Sequence, residues 1–254
     1  MIRVAAVADV HFGEDTAGTL RGAFEALPDH ADVLCLAGDF TRTGSASEAS
    51  FFAEELRGIP VPMVAVLGNH DYHSGEEDQI ADALTAVGVA VLERDSVVVD
   101  TSGGSLGIAG AKGFGGGFAG ACATEFGEVE MKAFVSHTKE IAGKLHHSLD
   151  SVDGDLRIAL LHYSPIEETL RGERPEIYPF LGSYHLAEAV DAAGADVVLH
   201  GHAHAGSERG MTPGGIHVRN VALPVIGRPY NIYCIGNGTD VACDPPPASR
   251  TSKE

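Results

Sequence analysis

Five short motifs carry the polar chemistry of this chain: Asp9-x-His11, Gly38-Asp39, Gly68-Asn69-His70-Asp71, a lone His162 and Gly201-His202-Ala203-His204. Imidazole and carboxylate donors without a thiolate suit divalent first-row metals such as Mn, Fe, Zn, Co or Ni. Six or seven such ligands exceed the needs of one ion. Two ions roughly 3.5–4 Å apart, bridged by a carboxylate, would use them all and could clamp the attacking and leaving oxygens of a phosphoryl group. Each residue also has a bland reading: Asp9 and Asp39 as helix caps, His162 as a core histidine bonded to a carbonyl, Asn69 as a turn residue. Four imidazoles, two carboxylates and an amide gathered at buried strand ends have no comparable structural excuse, because unpaired polar groups there are costly.

The elements that must position these groups are visible as apolar runs. Residues 4–8 precede Asp9, 33–37 precede Gly38-Asp39, 63–67 precede the Asn69 motif, 158–161 precede His162, and 197–199 precede the Gly201 motif. Short runs rich in Val, Ile and Leu read as strands buried on both faces. In an α/β sheet, ligands bind at the carboxyl ends of such strands. Between them lie amphipathic helices: Leu20, Ala23, Phe24 and Leu27 share one face, Ile80, Leu84 and Val87 another, and Leu186, Ala189, Val190 and Ala193 a third. The longest helical pattern runs over 131–149. No internal repeat is evident.

The order Asp-x-His, Gly-Asp, Gly-Asn-His-Asp, His, Gly-His-x-His, spread over residues 9–204, resembles the calcineurin-like metallophosphoesterase superfamily. Any one motif is common; all five in this order are specific. The resemblance implies a four-layer αββα sandwich of two mixed sheets flanked by helices, with a dinuclear metal site at the strand ends. It implies that Asp9, His11 and His204 hold one divalent ion, Asn69, His162 and His202 the other, and that Asp39 is shared. His70 is then the catalytic histidine, and the nucleophile a hydroxide bridging the metals. The implied activity is hydrolysis of a small phosphate ester, with a phosphodiester or nucleotide-like substrate as first choice. Its rivals are a phosphomonoesterase or pyrophosphohydrolase of the same fold and, from another class, a non-catalytic metal-binding scaffold. Ser/Thr protein phosphatases match less well, since Gly-Asp-Phe-Thr-Arg stands where they have Gly-Asp-x-x-Asp-Arg-Gly.

Candidate substrate contacts are Arg42, three residues after Asp39, and His73, on the loop that carries His70. A glycine-rich stretch around Gly113-Phe114-Gly115-Gly116-Gly117-Phe118 reads equally as a flexible surface loop or as a wall on which Phe114 or Phe118 stacks a leaving group. The segment after His162, with Arg171, Arg174, Tyr178 and Phe180, is placed to act as a cap. His200 reads as a core histidine. Gly103-Gly104-Ser105-Leu106-Gly107 matches a serine-hydrolase elbow, but no helix follows, so a serine nucleophile is rejected.

A chain of 254 residues with 44% hydrophobic content can bury a full core, read as one domain over 1–243 followed by a disordered Pro-rich tail over 244–254. Formal net charge is -19, which disfavours extended nucleic acid and anionic membranes as partners. No run approaches the ~20 apolar residues of a membrane span and no secretory leader is seen, so a cytoplasmic location is expected. Cys35, Cys122, Cys234 and Cys243 read as incidental thiols, and Asn237-Gly238 as a hairpin turn.

Overall fold

The structure is a computed structural model that describes residues 1–236 and the backbone of residues 239–242. From β1 (Ile2–Val7) the chain passes through α1 (Arg21–Glu25) and α2 (Leu27–His30) to β2 (Val33–Ala37), through α3 (Ala46–Leu56) to β3 (Met63–Val66), and through α4 (Glu77–Thr85) to β4 (Val89–Val91). β5 (Asp95–Thr101) and β6 (Gly104–Ala111) follow, then a ribbon of β7 (Gly117–Phe118) and β8 (Ala121–Cys122), α5 (Val129–Ser151) and β9 (Leu156–Leu161). The remainder is α6 (Tyr178–Leu181), α7 (Tyr184–Ala193), β10 (Val197–His200), β11 (Arg209–Met211), β12 (His217–Asn220), α8 (Leu223–Ile226), β13 (Asn231–Gly236) and β14 (Thr239–Ala242).

Two six-stranded mixed sheets result, in the orders β14-β13-β1-β2-β3-β4 and β11-β12-β10-β9-β6-β5. Strand alternation explains why they stack. Val4, Ala6, Val33, Cys35, Val64 and Val66 of the first sheet meet Leu106, Ile108, Ile158, Leu160, Val197 and Leu199 of the second. The opposite face of the first sheet, with Val7, Leu34, Leu36 and Ala65, packs on Phe24, Leu27, Phe52, Leu56, Ile80 and Leu84 of its helices. Ala159, Leu161, Val198 and Val218 do the same for the second sheet against Ile141, Leu145, Leu149, Leu186 and Val190. Each such fully buried aliphatic or aromatic side chain stabilises by roughly 1.5–3 kcal/mol. The layers are helix, sheet, sheet, helix, and the parallel strands β1, β2, β3, β9 and β10 bring their carboxyl ends to one edge.

Some details depart from the sequence expectations. The helix expected over Leu20–Leu27 is split: α1 ends at Glu25 and Pro28 sits in the first turn of α2, where its missing N–H is harmless. The glycine-rich stretch is not a free loop. Gly116 N–H donates to the Pro179 carbonyl (2.7 Å) and Gly117 N–H to that of Gly182 (2.9 Å), which pins it to the segment around α6. Ser105 lies within β6 and bonds Asp155, as befits a strand residue and not a nucleophile. Cys35 and Cys122 are free, but Cys234 is disulfide-bonded, so the reading of all four cysteines as incidental is corrected. The Asn237-Gly238 turn and the 244–254 tail lie outside the described residues. Among the described residues no helix is long and apolar enough to cross a membrane.

Candidate metal centre

The first-sheet loops continue the pairing of the strands that lead into them. Beyond β1 and β2, Asp9 N–H donates to the Gly38 carbonyl (2.9 Å), His11 N–H to that of Asp39 (3.1 Å) and Phe12 N–H to that of Phe40 (2.7 Å). Asp9, His11 and Asp39 sit at φ 56°, 42° and 56°, in the left-handed region that side chains with a Cβ rarely adopt. Apolar anchors oppose that strain. The residues after His11 and Asp39 are Phe12 and Phe40, whose rings lie 5.5 and 5.2 Å from the ring of Phe52 in α3. All three phenylalanines are fully buried.

A second brace is Asp71, buried and without an assigned role in the sequence reading. Its Oδ1 accepts from the Thr41 amide (2.9 Å) and hydroxyl (2.8 Å), and its Oδ2 from the amides of Gly68 (2.8 Å) and Phe40 (3.3 Å). One carboxylate thus ties the Asp39 loop to the Asn69–His70 loop. Burial, and then the charge of Asp39, push its pKa up. Gly68 is required by closeness: a Cβ there would collide with the Asp39 carboxylate, and one at Gly201 with that of Asp9.

The second sheet delivers imidazoles. His162 N–H donates to the Lys112 carbonyl (3.0 Å) at the end of β6, and its Nδ1–H reaches across to the Ala37 carbonyl of β2 (2.8 Å). That bond fixes the tautomer and leaves Nε2 facing Asn69 Oδ1 at 2.9 Å and Asp39 Oδ1 at 3.4 Å. His11 is set the same way, with Nδ1 on the Thr41 carbonyl (3.3 Å), as is His70, with Nδ1 on the Arg42 carbonyl (2.7 Å). His202, at φ 71°, donates its amide to Asp9 Oδ2 (2.9 Å) and Nε2–H to the Phe180 carbonyl (3.2 Å). His204 Nε2 lies 2.9 Å from Asp9 Oδ1 and 3.3 Å from His11 Nε2.

These side chains form two donor groups. Asp9, His11, Asp39 and His204 offer atoms within 4.8 Å of one another, as do Asp39, His162 and His202, so Asp39 belongs to both. Asn69 joins the second group through His162. The arrangement fits cations: at the His162–Asn69 contact an imidazole lone pair faces an amide oxygen, acceptor against acceptor, which a metal ion resolves. The electrostatics agree. Burial pushes the Asp9 carboxyl up, but the His204 hydrogen bond, the neighbouring imidazoles and the His202 amide outweigh it, so it lies below the usual carboxylate range. Burial pushes His202 down to about 3 and lowers His11, favouring the neutral, metal-binding imidazole, whereas the hydrogen bond to Asp9 raises His204, whose proton a cation would have to displace.

The other expected contacts scatter. Arg42 is exposed, with its guanidinium on Asp15 (2.6 and 3.1 Å) and its Nε on the His11 carbonyl (2.7 Å), so it braces the His11 loop. His73 is exposed, its ring 6.3 Å from that of His70. Phe114 is half-buried against Phe134, His137 and Tyr163. Phe118 is 5% exposed and packs with Leu170, Leu181 and Ala203; its ring belongs to a small core, so the stacking role expected of it is withdrawn. Arg171 is exposed beside Glu168 (3.7 Å). His200 is a satisfied core histidine, bonded to the Gly201 carbonyl (2.8 Å) and Thr169 hydroxyl (2.9 Å) and pushed down to about 4 by burial. Sequence reasoning missed Asp71, although its place in Gly68-Asn69-His70-Asp71 was a signal, and it missed Lys112, whose only signal was adjacency to a strand end.

Comparison with known proteins agrees with this architecture. Phosphopantetheinyl hydrolase from Mycobacterium tuberculosis superposes with a TM-score of 0.64 at 17% identity, covering 87% of this chain and 89% of that one. TT1561 of Thermus thermophilus gives 0.57 at 17% identity over 94% and 99% of the two chains, and GAP50, the anchor in the inner membrane complex of Plasmodium, 0.55 at 10% over 88% and 72%. At such identities the likeness is one of fold. No curated protein matches the chain in sequence. The family model for calcineurin-like phosphoesterases matches residues 2–206, the stretch that holds every residue of both donor groups, and the chain belongs to that family.

Proposed function

We propose that the chain is a dinuclear metal-dependent phosphoesterase acting on a small phosphodiester or nucleotide-like ester. The observation that carries this reading is the pair of donor groups sharing the buried carboxylate of Asp39. In this reading Asp9, His11, Asp39 and His204 hold one divalent ion, and Asp39, Asn69, His162 and His202 the other. The ions, when bound, would supply Lewis acidity toward the phosphoryl oxygens and acidify water toward neutral pH.

The chain's own groups do the rest. The carbonyls of Thr41 and Ala37 fix the ligand tautomers of His11 and His162, and Asp71 holds the Asp39 and Asn69 loops in register. His70 lies outside both donor groups, with its ring centre 4.7 Å from that of His11 and Nδ1–H committed to the Arg42 carbonyl. Its Nε2 is therefore the nitrogen left to face the leaving oxygen, to which the imidazolium form would give its Nε2 proton. The net charge of -19 favours a compact ester over an extended polyanion.

The test is direct. Protein stripped of metal is reloaded singly with Mn, Fe, Zn, Co or Ni and assayed on bis-p-nitrophenyl phosphate beside p-nitrophenyl phosphate. Metal-dependent turnover, with preference for the diester, is expected; silence with every metal on both esters overturns the reading.

A further inference from the structure

Lys112 stands at the carboxyl end of β6, where Ala111 pairs with Leu161 and the Lys112 carbonyl takes the amides of His162 (3.0 Å) and Tyr163 (2.9 Å). Its backbone is thus bound into the loop that presents a donor of the metal centre. Its ammonium lies 4.6 Å from the ring centre of Tyr72, 5.4 Å from that of Phe114 and 5.6 Å from that of Tyr163. Such rings hold a cation by their faces and leave its three N–H groups uncommitted. Among the described residues no carboxylate reaches ion-pair distance of this ammonium and no acceptor reaches hydrogen-bond distance. Glu93, the charge that acts most strongly on this ammonium, is hydrogen-bonded instead to the Tyr72 hydroxyl (2.8 Å) and paired with Arg94 (3.1 Å).

Two of the three rings tie the lysine to the site. Tyr72 follows His70 by two residues in the same 3₁₀ turn. Tyr163 follows His162, and its ring centre is 4.4 Å from that of His202. The Tyr163 ring thus touches both the Lys112 ammonium and His202, and the charge of Asp39 reaches the ammonium, so the cation stands beside the metal centre without being one of its donors. In a protein of net charge -19, this half-buried ammonium feels the charges of Glu93, Asp39 and Glu77 yet, among the described residues, is ion-paired with none of them, which leaves its N–H groups open to an incoming anion.

We propose that Lys112 forms a subsite for a second anionic group of the substrate, a phosphate or carboxylate bound beside the metal centre while the metals take the scissile phosphoryl. The inference rests on the phosphoesterase reading above and narrows it to esters that carry a second negative charge.

The test compares thymidine 5′-monophosphate with thymidine 3′,5′-bisphosphate, which differ by one phosphate, as ligands of the metal-loaded protein in titration calorimetry. Wild-type protein and Lys112→Arg should bind the bisphosphate about tenfold more tightly than the monophosphate, the effect of one charge-assisted contact. In Lys112→Met that preference should fall below about threefold; Lys112→Gln gives the same readout if the methionine variant does not fold. A purely structural lysine would lower the melting temperature and leave the preference intact, and this result, or a wild-type protein without preference, overturns the proposal. Hydrolysis of bis-p-nitrophenyl phosphate and p-nitrophenyl phosphate is followed alongside: silence on both with every metal defeats the phosphoesterase reading, while the binding ratio still decides the role of Lys112.

Discussion

The β1–β2 unit of the first sheet and the β9–β10 unit of the second are built alike. Ala31-Asp32-Val33 leads into β2 and Ala195-Asp196-Val197 into β10. Asp32 N–H donates to the Arg3 carbonyl and Arg3 N–H to the Asp32 carboxylate, both at 2.8 Å; Asp196 and Arg157 repeat the exchange at 2.8 and 2.7 Å. Each unit ends in glycine followed by a left-handed donor, Gly38-Asp39 at φ 56° and Gly201-His202 at φ 71°. The difference lies in what is delivered. The first sheet supplies both carboxylates of the donor groups, the second only imidazoles. Charge compensation for a bound cation is thus a property of one half of the molecule, and orientation is shared between the two.

Breaking this contrast calls first for matched substitutions. Asp39→Asn should abolish metal-dependent turnover and lower metal content, whereas His202→Ala should retain metal in the Asp9 group and a residual rate; equal losses in metal analysis and kinetics would remove the distinction. His70→Ala should lower kcat by about 10²- to 10⁴-fold with metal content unchanged, because it takes away a proton donor and no ligand. If metal content falls as well, His70 is part of the metal centre itself.

Packing tests the same asymmetry at smaller scale. Phe52→Ala should destabilise by about 3–5 kcal/mol in urea unfolding and also weaken metal binding, since Phe12 and Phe40 anchor their ligand loops on that ring. Leu145→Ala, in the core between α5 and the second sheet, should destabilise by about 2–5 kcal/mol with little change in metal affinity. Comparable weakening of metal binding in both would mean that neither half is anchored specially.

The smallest effect concerns acid. Burial raises the Asp32 carboxyl, but the Arg3 side-chain and amide bonds and its charge more than reverse this, so its folded pKa lies below the unfolded one. Stability from that pair is therefore present above the ordinary carboxylate range and lost as pH falls through the folded value. Asp32→Asn should flatten the acid limb of the stability curve by under about 1 kcal/mol, given the exposure of the arginine. Asp196→Asn is the control, because the Arg157 side chain turns instead to the Leu149 carbonyl (3.1 Å).

How much of this was legible in the chain depends on whether a residue's partners are near it in sequence. The donors were legible because each lies just past the carboxyl end of one of five strands, so motif and position coincide. The bracing of the His11 loop by Arg42 was not legible because its partner Asp15 lies 27 residues away and no pattern joins them. Phe118 looked like a loop aromatic because the segment that covers it, with Leu170 and Leu181, is remote in sequence. The kinship of the β1–β2 and β9–β10 units was missed since it resides in hydrogen bonding and backbone conformation more than in residue identity. Lys112 has no motif at all; only the convergence of Tyr72, Phe114 and Tyr163 marks it.

The left-handed backbone at Asp9, Asp39 and His202 carries a consequence for how this sequence can drift. Glycine adopts that conformation freely, so replacement by glycine at each position would relieve roughly 1–2 kcal/mol of local strain. Each such replacement also deletes a donor. At Asp9 and Asp39 it would also strand the His202 and His70 amides that the carboxylates accept, so the strain is held in place by the same bonds that shape the site, and a thermostable variant that has gained glycine at His202 should be checked for metal content before it is called improved.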